Sequence, residues 1–232
     1  MTDGDISVCV ACYPPHIPHL RNLMKSIGAQ TMKPKECIIG LSQTNDANKI
    51  LLEKEFNDME LGFPIIISNS TEVCHEGENR NRAIRLATGK YVTICDADDV
   101  IHNKRLELVY YHMERHNCHA LLHSFKKRNN NDNNDLNWGL AERPRIFFGD
   151  VLYAAMLHTE GRQLHLPDEL CIHHAYITFK REVFQHIQQD GTKRFYVGMD
   201  SKFVRDILKF YGNNRQTMVF LDLPLVLYEA HH

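Results

Sequence analysis

The chain has 232 residues, 43% of them hydrophobic, and its 27 basic and 29 acidic side chains leave a formal charge of −2. That length can bury one sizeable core, so one domain is expected, and the near-neutral charge excludes a broadly basic nucleic-acid binder. No apolar run approaches a membrane span, the acidic start Met1–Asp5 lacks the regions of a signal peptide, and seven scattered cysteines fit reduced thiols in the cytoplasm.

Ile6 to Cys12 reads as a first strand, broken by Tyr13-Pro14-Pro15. Leu20, Leu23, Met24 and Ile27 then follow helical spacing. Cys37 to Leu41 is a second short strand, and a helix over Lys49 to Met59 presents Ile50, Leu51, Phe56 and Met59 as its inner face. Pro64 to Ser68 is a third strand, and Glu78 to Thr88 a helix stopped by Gly89. An apolar strand from Tyr91 follows, then a helix from about Asn103 carrying Leu106, Val109, Tyr110 and Met113. Such regular alternation predicts an α/β sheet that begins parallel.

The second half is less regular. His119 to Phe125 and Ile172 to Phe179 read as strands, Arg181 to Gln188 as a short helix, and Asp200 to Tyr211 as an amphipathic helix. Two apolar segments, Val219 to Leu221 and Leu223 to Leu227, close the chain before Tyr228-Glu229-Ala230-His231-His232. The Asn/Asp run within about 126–138 is too polar to pack and reads as a mobile loop. Trp138 beside it is either a stacking platform for a sugar or a local packing residue.

The chemistry concentrates where the fourth strand ends, at Cys95-Asp96-Ala97-Asp98-Asp99, three carboxylates within four residues. On an extended backbone Asp96 and Asp98 would share a face, with the small Ala97 turned inward. Two carboxylates so close repel unless a proton or cation intervenes, and an all-oxygen pair suits Mg2+ or Mn2+. The competing reading is a polar strand end in which Asp98 or Asp99 caps the next helix. Cys9 and Cys12 have C-x-x-C spacing, but residues three apart on a strand face opposite sides and cannot share a metal. The fifteen histidines show no paired spacing of a zinc site.

The order of motifs resembles the nucleotide-sugar glycosyltransferases of the GT-A fold, specifically the large family-two group. Ile6 to Tyr13, then His19 to Ile27 and Gln30-Thr31, is similar to that group's first strand, helix and turn. Arg80-Asn81-Arg82-Ala83-Ile84 is similar to its Arg-Asn-x-Gly-Ile helix, and Asp96-Ala97-Asp98 stands at its Asp-x-Asp signature. The match is good from Ile6 to Asp99, returns more weakly from about Ile172, and is absent over about 126–170.

The resemblance implies a single GT-A (Rossmann-like) domain over residues 1–232, with a mixed, mainly parallel central sheet flanked by helices. Residues 1–100 would bind the nucleotide sugar and 101–232 form the acceptor side. It further implies a sugar transfer from a nucleoside-diphosphate sugar, a UDP-sugar, to an acceptor hydroxyl with inversion, dependent on Mn2+ or Mg2+. Ala11, Tyr13, Arg80, Asp96 and Ala97 would line the donor pocket, Asp98 and His231 would serve the metal, and Asp200 would be the catalytic base. The competing reading of Asp200 is an N-cap for the helix that follows. Two departures stand out: the second strand ends Gly40-Leu41-Ser42 where the group has acids that read uracil, and Glu229 replaces an Arg. Asn45 and Asp46 are possible substitutes for the missing acids.

Two other functions compete. Asp96-Ala97-Asp98-Asp99-Val100 also resembles the loop of haloacid-dehalogenase-type phosphohydrolases, in which Asp96 would be the nucleophile and Asp98 the acid/base. That loop normally follows the first strand of its domain, whereas here at least three β/α units precede it. The missing acid on the second strand motivates the other alternative, a sugar-nucleotide-binding domain without catalysis.

Overall fold

A computed structural model describes residues 4–128, 135–152, 176–191, 199–212 and 214–228, with only the backbone of 199–201. The first half is three β/α units and a fourth strand: β1 (Ile6–Cys12), α1 (Ile17–Gly28), β2 (Glu36–Leu41), α2 (Asp46–Asp58), β3 (Ile65–Asn69), α3 (Glu76–Arg85) and β4 (Tyr91–Asp96). Then come the short β5 (Val100–Ile101), α4 (Arg105–His116), β6 (Ala120–Lys127), β7 (Ile146–Phe148), β8 (Ile177–Lys180), α5 (Val183–His186), α6 (Met199–Tyr211) and β9 (Met218–Tyr228).

Among the described residues these strands form one sheet in the order β3-β2-β1-β4-β8-β6-β9-β5, with β7 also on β9. The four strands β3-β2-β1-β4 are parallel. Antiparallel pairs β4–β8 and β6–β8 follow, then a parallel β6–β9 pair. Each strand buries alternate residues in opposite layers. Val8, Val10 and Cys12 join Leu20, Leu23 and Met24 of α1 on one face. Cys9, Ile38 and Ile94 join Ile84 of α3 and Phe203, Val204 and Ile207 of α6 on the other. Cys9 and Cys12 therefore lie in separate layers, as the spacing required.

Several expectations change. On α2, Ile50 and Leu51 are 62% and 65% exposed and Phe56 alone is buried, because the helix rests on the edge strand β3. The helix before β4 ends at Arg85, well short of Gly89. The two closing apolar segments are one strand, β9, whose register against β6 shifts around Asp222 and Pro224. The polar loop is tethered at both ends: Lys126 and Lys127 belong to β6, and Trp138 Nε1 donates to Pro224 O at 2.7 Å. Trp138 also packs edge-on against His102, a contact that supports the local-packing reading. Residues 129–134 lie outside the described residues.

Candidate active site

The chain runs outward from β1 to β2 and β3, then returns to place β4 on the other side of β1. At such a switch point a crevice opens beyond the carboxyl ends of the strands. Register aligns Ala11 of β1 with Gly40 on one side and Asp96 on the other. Tyr13 stands exposed just past the end of β1.

The extended backbone stops at Asp96, and Asp99 N–H returns to Asp96 O at 3.3 Å, closing a turn. The two-residue strand period therefore does not run on to Asp98, and the carboxylates meet different partners. Asp96 accepts from Arg80 Nη2 at 2.7 Å. Arg80 is fully buried and also pairs with Glu76, one turn earlier on α3. Asp98, 13% exposed at its side chain, faces His16 Nδ1 at 3.8 Å. Ala97 packs into the core at 1% exposure. Neither Asp98 nor Asp99 caps α4, whose N-cap is Lys104.

Asp99 is buried behind the other two. Burial pushes its carboxyl well above the usual range, the neighbouring Asp96 and Asp98 push it further, and Arg105 and Arg80 oppose them. Arg105, also fully buried, donates to Cys95 Sγ at 2.9 Å, Ile94 O at 3.0 Å and Thr93 Oγ1 at 3.1 Å, fixing the end of β4 from below.

Helix α3 joins this turn to both sides of the crevice. Asn79 O would lie 2.3 Å from a Cβ at position 40, so only glycine lets α3 approach β2 here. The Asn81 amide brackets the backbone of Gln189, donating to its O at 2.8 Å and accepting from its N at 3.0 Å. Arg82 donates to Ser68 O at 2.6 Å and to Leu41 O at 3.4 Å, covering the ends of β3 and β2. At the β2 exit, Asn45 Oδ1 caps α2 through Asn48 N, and Asp46 accepts from Asn69 Nδ2. Both offered substitutes for the missing acids are thus committed locally.

Of the residues singled out in the sequence, the structure gathers Ala11, Tyr13, Arg80, Asp96, Ala97 and Asp98 at this end of β1 and β4. Asp200 lies in the first turn of α6, its side chain outside the description, and His231 lies outside the described residues. Sequence reasoning missed His16, Glu76, Arg105 and Gln189. Glu76 and Arg80 have a readable i,i+4 spacing, whereas His16 and Gln189 meet partners far away in the chain and Arg105 folds back on residues of the preceding strand.

The α/β sheet with helices on both faces and a carboxylate turn at its switch point is a GT-A fold. The chain belongs to glycosyl transferase family 2, whose model matches residues 7–188. An uncharacterized glycosyltransferase of Methanocaldococcus jannaschii is 35% identical over 122 residues, covering 52% of this chain and 41% of that protein. The S. aureus TarS 1–349 structure in complex with UDP-GlcNAc superposes with a TM-score of 0.70 at 19% identity, over 98% of this chain and 59% of that one. The mannosyltransferase PcManGT from Pyrobaculum calidifontis, in complex with GDP-Man and Mn2+, gives 0.58 at 16% identity, over 95% of this chain and 57% of that one. The chain thus spans about two fifths to three fifths of the length of these relatives. The phosphohydrolase reading falls with this fold, since the carboxylate turn follows the fourth strand and not the first. Among the described residues no helix is long and apolar enough to cross a membrane.

Proposed function

We propose that this chain transfers a sugar from a nucleoside-diphosphate sugar, a UDP-sugar, to an acceptor hydroxyl with inversion and with a divalent cation. The observation that carries the reading is the Asp96–Asp99 turn at the β1/β4 switch point, clamped by Arg80 and faced by His16. UDP-GlcNAc in TarS and GDP-Man with Mn2+ in PcManGT supply the donor and metal classes.

The residues present fit such a cation. Three carboxylates lie within one turn, where Asp96 and Asp98 add to the effect of burial in pushing the Asp99 carboxyl up, and a divalent ion would offset their mutual repulsion. Asp98 would hold Mn2+ or Mg2+, with His231 contributing from the chain end. When bound, the ion offers Lewis-acid stabilisation of charge on the departing diphosphate. Tyr13 and Ala11 border the nucleoside, and Arg80 fixes Asp96 for the ribose. Residues 1–100 hold the donor and 101–232 the acceptor side. Asp200 takes the proton from the acceptor hydroxyl, which is a poor nucleophile until deprotonated.

Calorimetric titration of UDP with and without Mn2+ tests this reading. The wild type should bind UDP in a Mn2+-dependent manner, and Asp98→Ala should lose that dependence without unfolding. Unchanged UDP affinity of Asp98→Ala in Mn2+ would overturn the assignment. A second reading, a binding domain without catalysis, is favoured by the absent β2 acid. UDP release from UDP-sugars in the presence of Mn2+ separates the two.

A further inference from the structure

We propose that His16 is itself a ligand of the cation held by Asp98, and that it tips the site toward Mn2+ over Mg2+. This rests on the reading that Asp98 holds the metal.

His16 ends a 3-10 turn, Pro14–His16, that leads from β1 into α1. Pro14 and Pro15 lock φ at two of its three positions, so the imidazole is carried on a stiffened support. Its Nδ1 lies 3.8 Å from Asp98 Oδ2, and the side chains are 27% and 13% exposed. That separation is too long for a hydrogen bond. It falls between the roughly 3.0 Å of adjacent ligands and the roughly 4.2 Å of opposite ligands on an octahedral ion with bonds of about 2.1 Å.

The second ring nitrogen has the partner a ligating histidine needs. Nε2 is 3.0 Å from Tyr13 Oη, and the two rings lie 4.3 Å apart. A metal-bound imidazole donates its other N–H to an oxygen, which fixes both tautomer and ring plane. In the tautomer that gives Nε2–H to Tyr13, Nδ1 turns a lone pair toward the carboxylate. Two electron-rich groups face to face are favourable with a proton or a cation between them, and a divalent ion fits the 3.8 Å gap.

The neighbouring charges agree. Asp96 is answered by Arg80, and Asp99 sits behind the turn opposite the charge of Arg105. Asp98 is the carboxylate turned to the β1–α1 side. Among the described residues no three His, Cys, Asp or Glu side chains converge on a metal. Asp98 and His16, even with His231 added, leave positions for water and diphosphate oxygens, the usual completion of such a site. An imidazole nitrogen also favours first-row transition ions over Mg2+, which prefers oxygen alone.

The test uses the metals alone on the full chain, followed by electron paramagnetic resonance for Mn2+ and by competition for Mg2+. His16→Gln should raise the Mn2+ Kd about tenfold or more, change the Mg2+ Kd far less, and diminish the imidazole 14N coupling of bound Mn2+. His16→Asp should bind both ions while narrowing the Mn2+ preference, which keeps the idea testable if the glutamine variant fails to fold. An undiminished 14N signal with an unchanged Mn2+ Kd in His16→Gln, or an unaltered preference in His16→Asp, overturns the role of His16. In that case loss of Mn2+ binding in Asp98→Asn still leaves the Asp98 reading standing. If Asp98→Asn also binds Mn2+ as the wild type does, both fall.

Discussion

Arg80 shows how one residue sets the site. Its guanidinium is out of solvent and balanced by Asp96 and Glu76, so removing it strands negative charge at the end of β4. Breaking a buried ion pair from one side costs about 3–5 kcal/mol. Because both carboxylates retain some exposure, Arg80→Ala should fall near the lower end, about 3 kcal/mol, measured as a shift in the urea midpoint. Unaltered stability would show that Asp96 is held by other contacts. At this scale the Arg-Asn motif made Arg80 legible in the sequence. Nothing comparable pointed to Arg105, because its partners Thr93, Ile94 and Cys95 become neighbours only when α4 folds back under β4.

At the scale of the element, α3 organises the crevice. It touches β2 through Asn79, clasps Gln189 through Asn81 and reaches β3 through Arg82. Gly40→Ala puts a methyl 2.3 Å from a backbone carbonyl that cannot turn aside. Overpacking of this kind costs about 1–3 kcal/mol, and here α3 must move as a body. The variant should melt lower and also bind UDP more weakly, since Arg80 rides on the same helix. A stable variant with normal UDP affinity would show that α3 yields without disturbing the site. The α2 surface teaches a converse point. Its Ile50 and Leu51 satisfy a helical pattern yet face outward, since a helix over an edge strand needs only a narrow apolar stripe.

For the whole molecule, the proposed reaction depends on bringing a carboxylate from α6 to a metal turn about a hundred residues earlier. Asp200→Asn preserves the shape of the residue but cannot accept a proton. Turnover should therefore drop about 10²–10⁴-fold, the usual worth of a general base, with UDP binding and melting temperature nearly unchanged. Near-normal turnover would deny Asp200 the role of base, and retained anomeric configuration in the product would refute the single displacement.

Taken by itself, the sequence determined the α/β class, the order of strands and helices from β1 to α4 apart from the short β5, and the place of the carboxylate turn. Each is written in local periodicity or in a short motif: alternation for strands, a 3.6-residue repeat for helices, acids at a strand end. Only the tertiary structure decided that Asp96 and Asp98 part company, that β9 is one shifted strand, and that His16 faces Asp98. These depend on where a turn breaks the strand period and on register between segments far apart in the chain. Packing and pairing energies set that register, and no local pattern of residues encodes it.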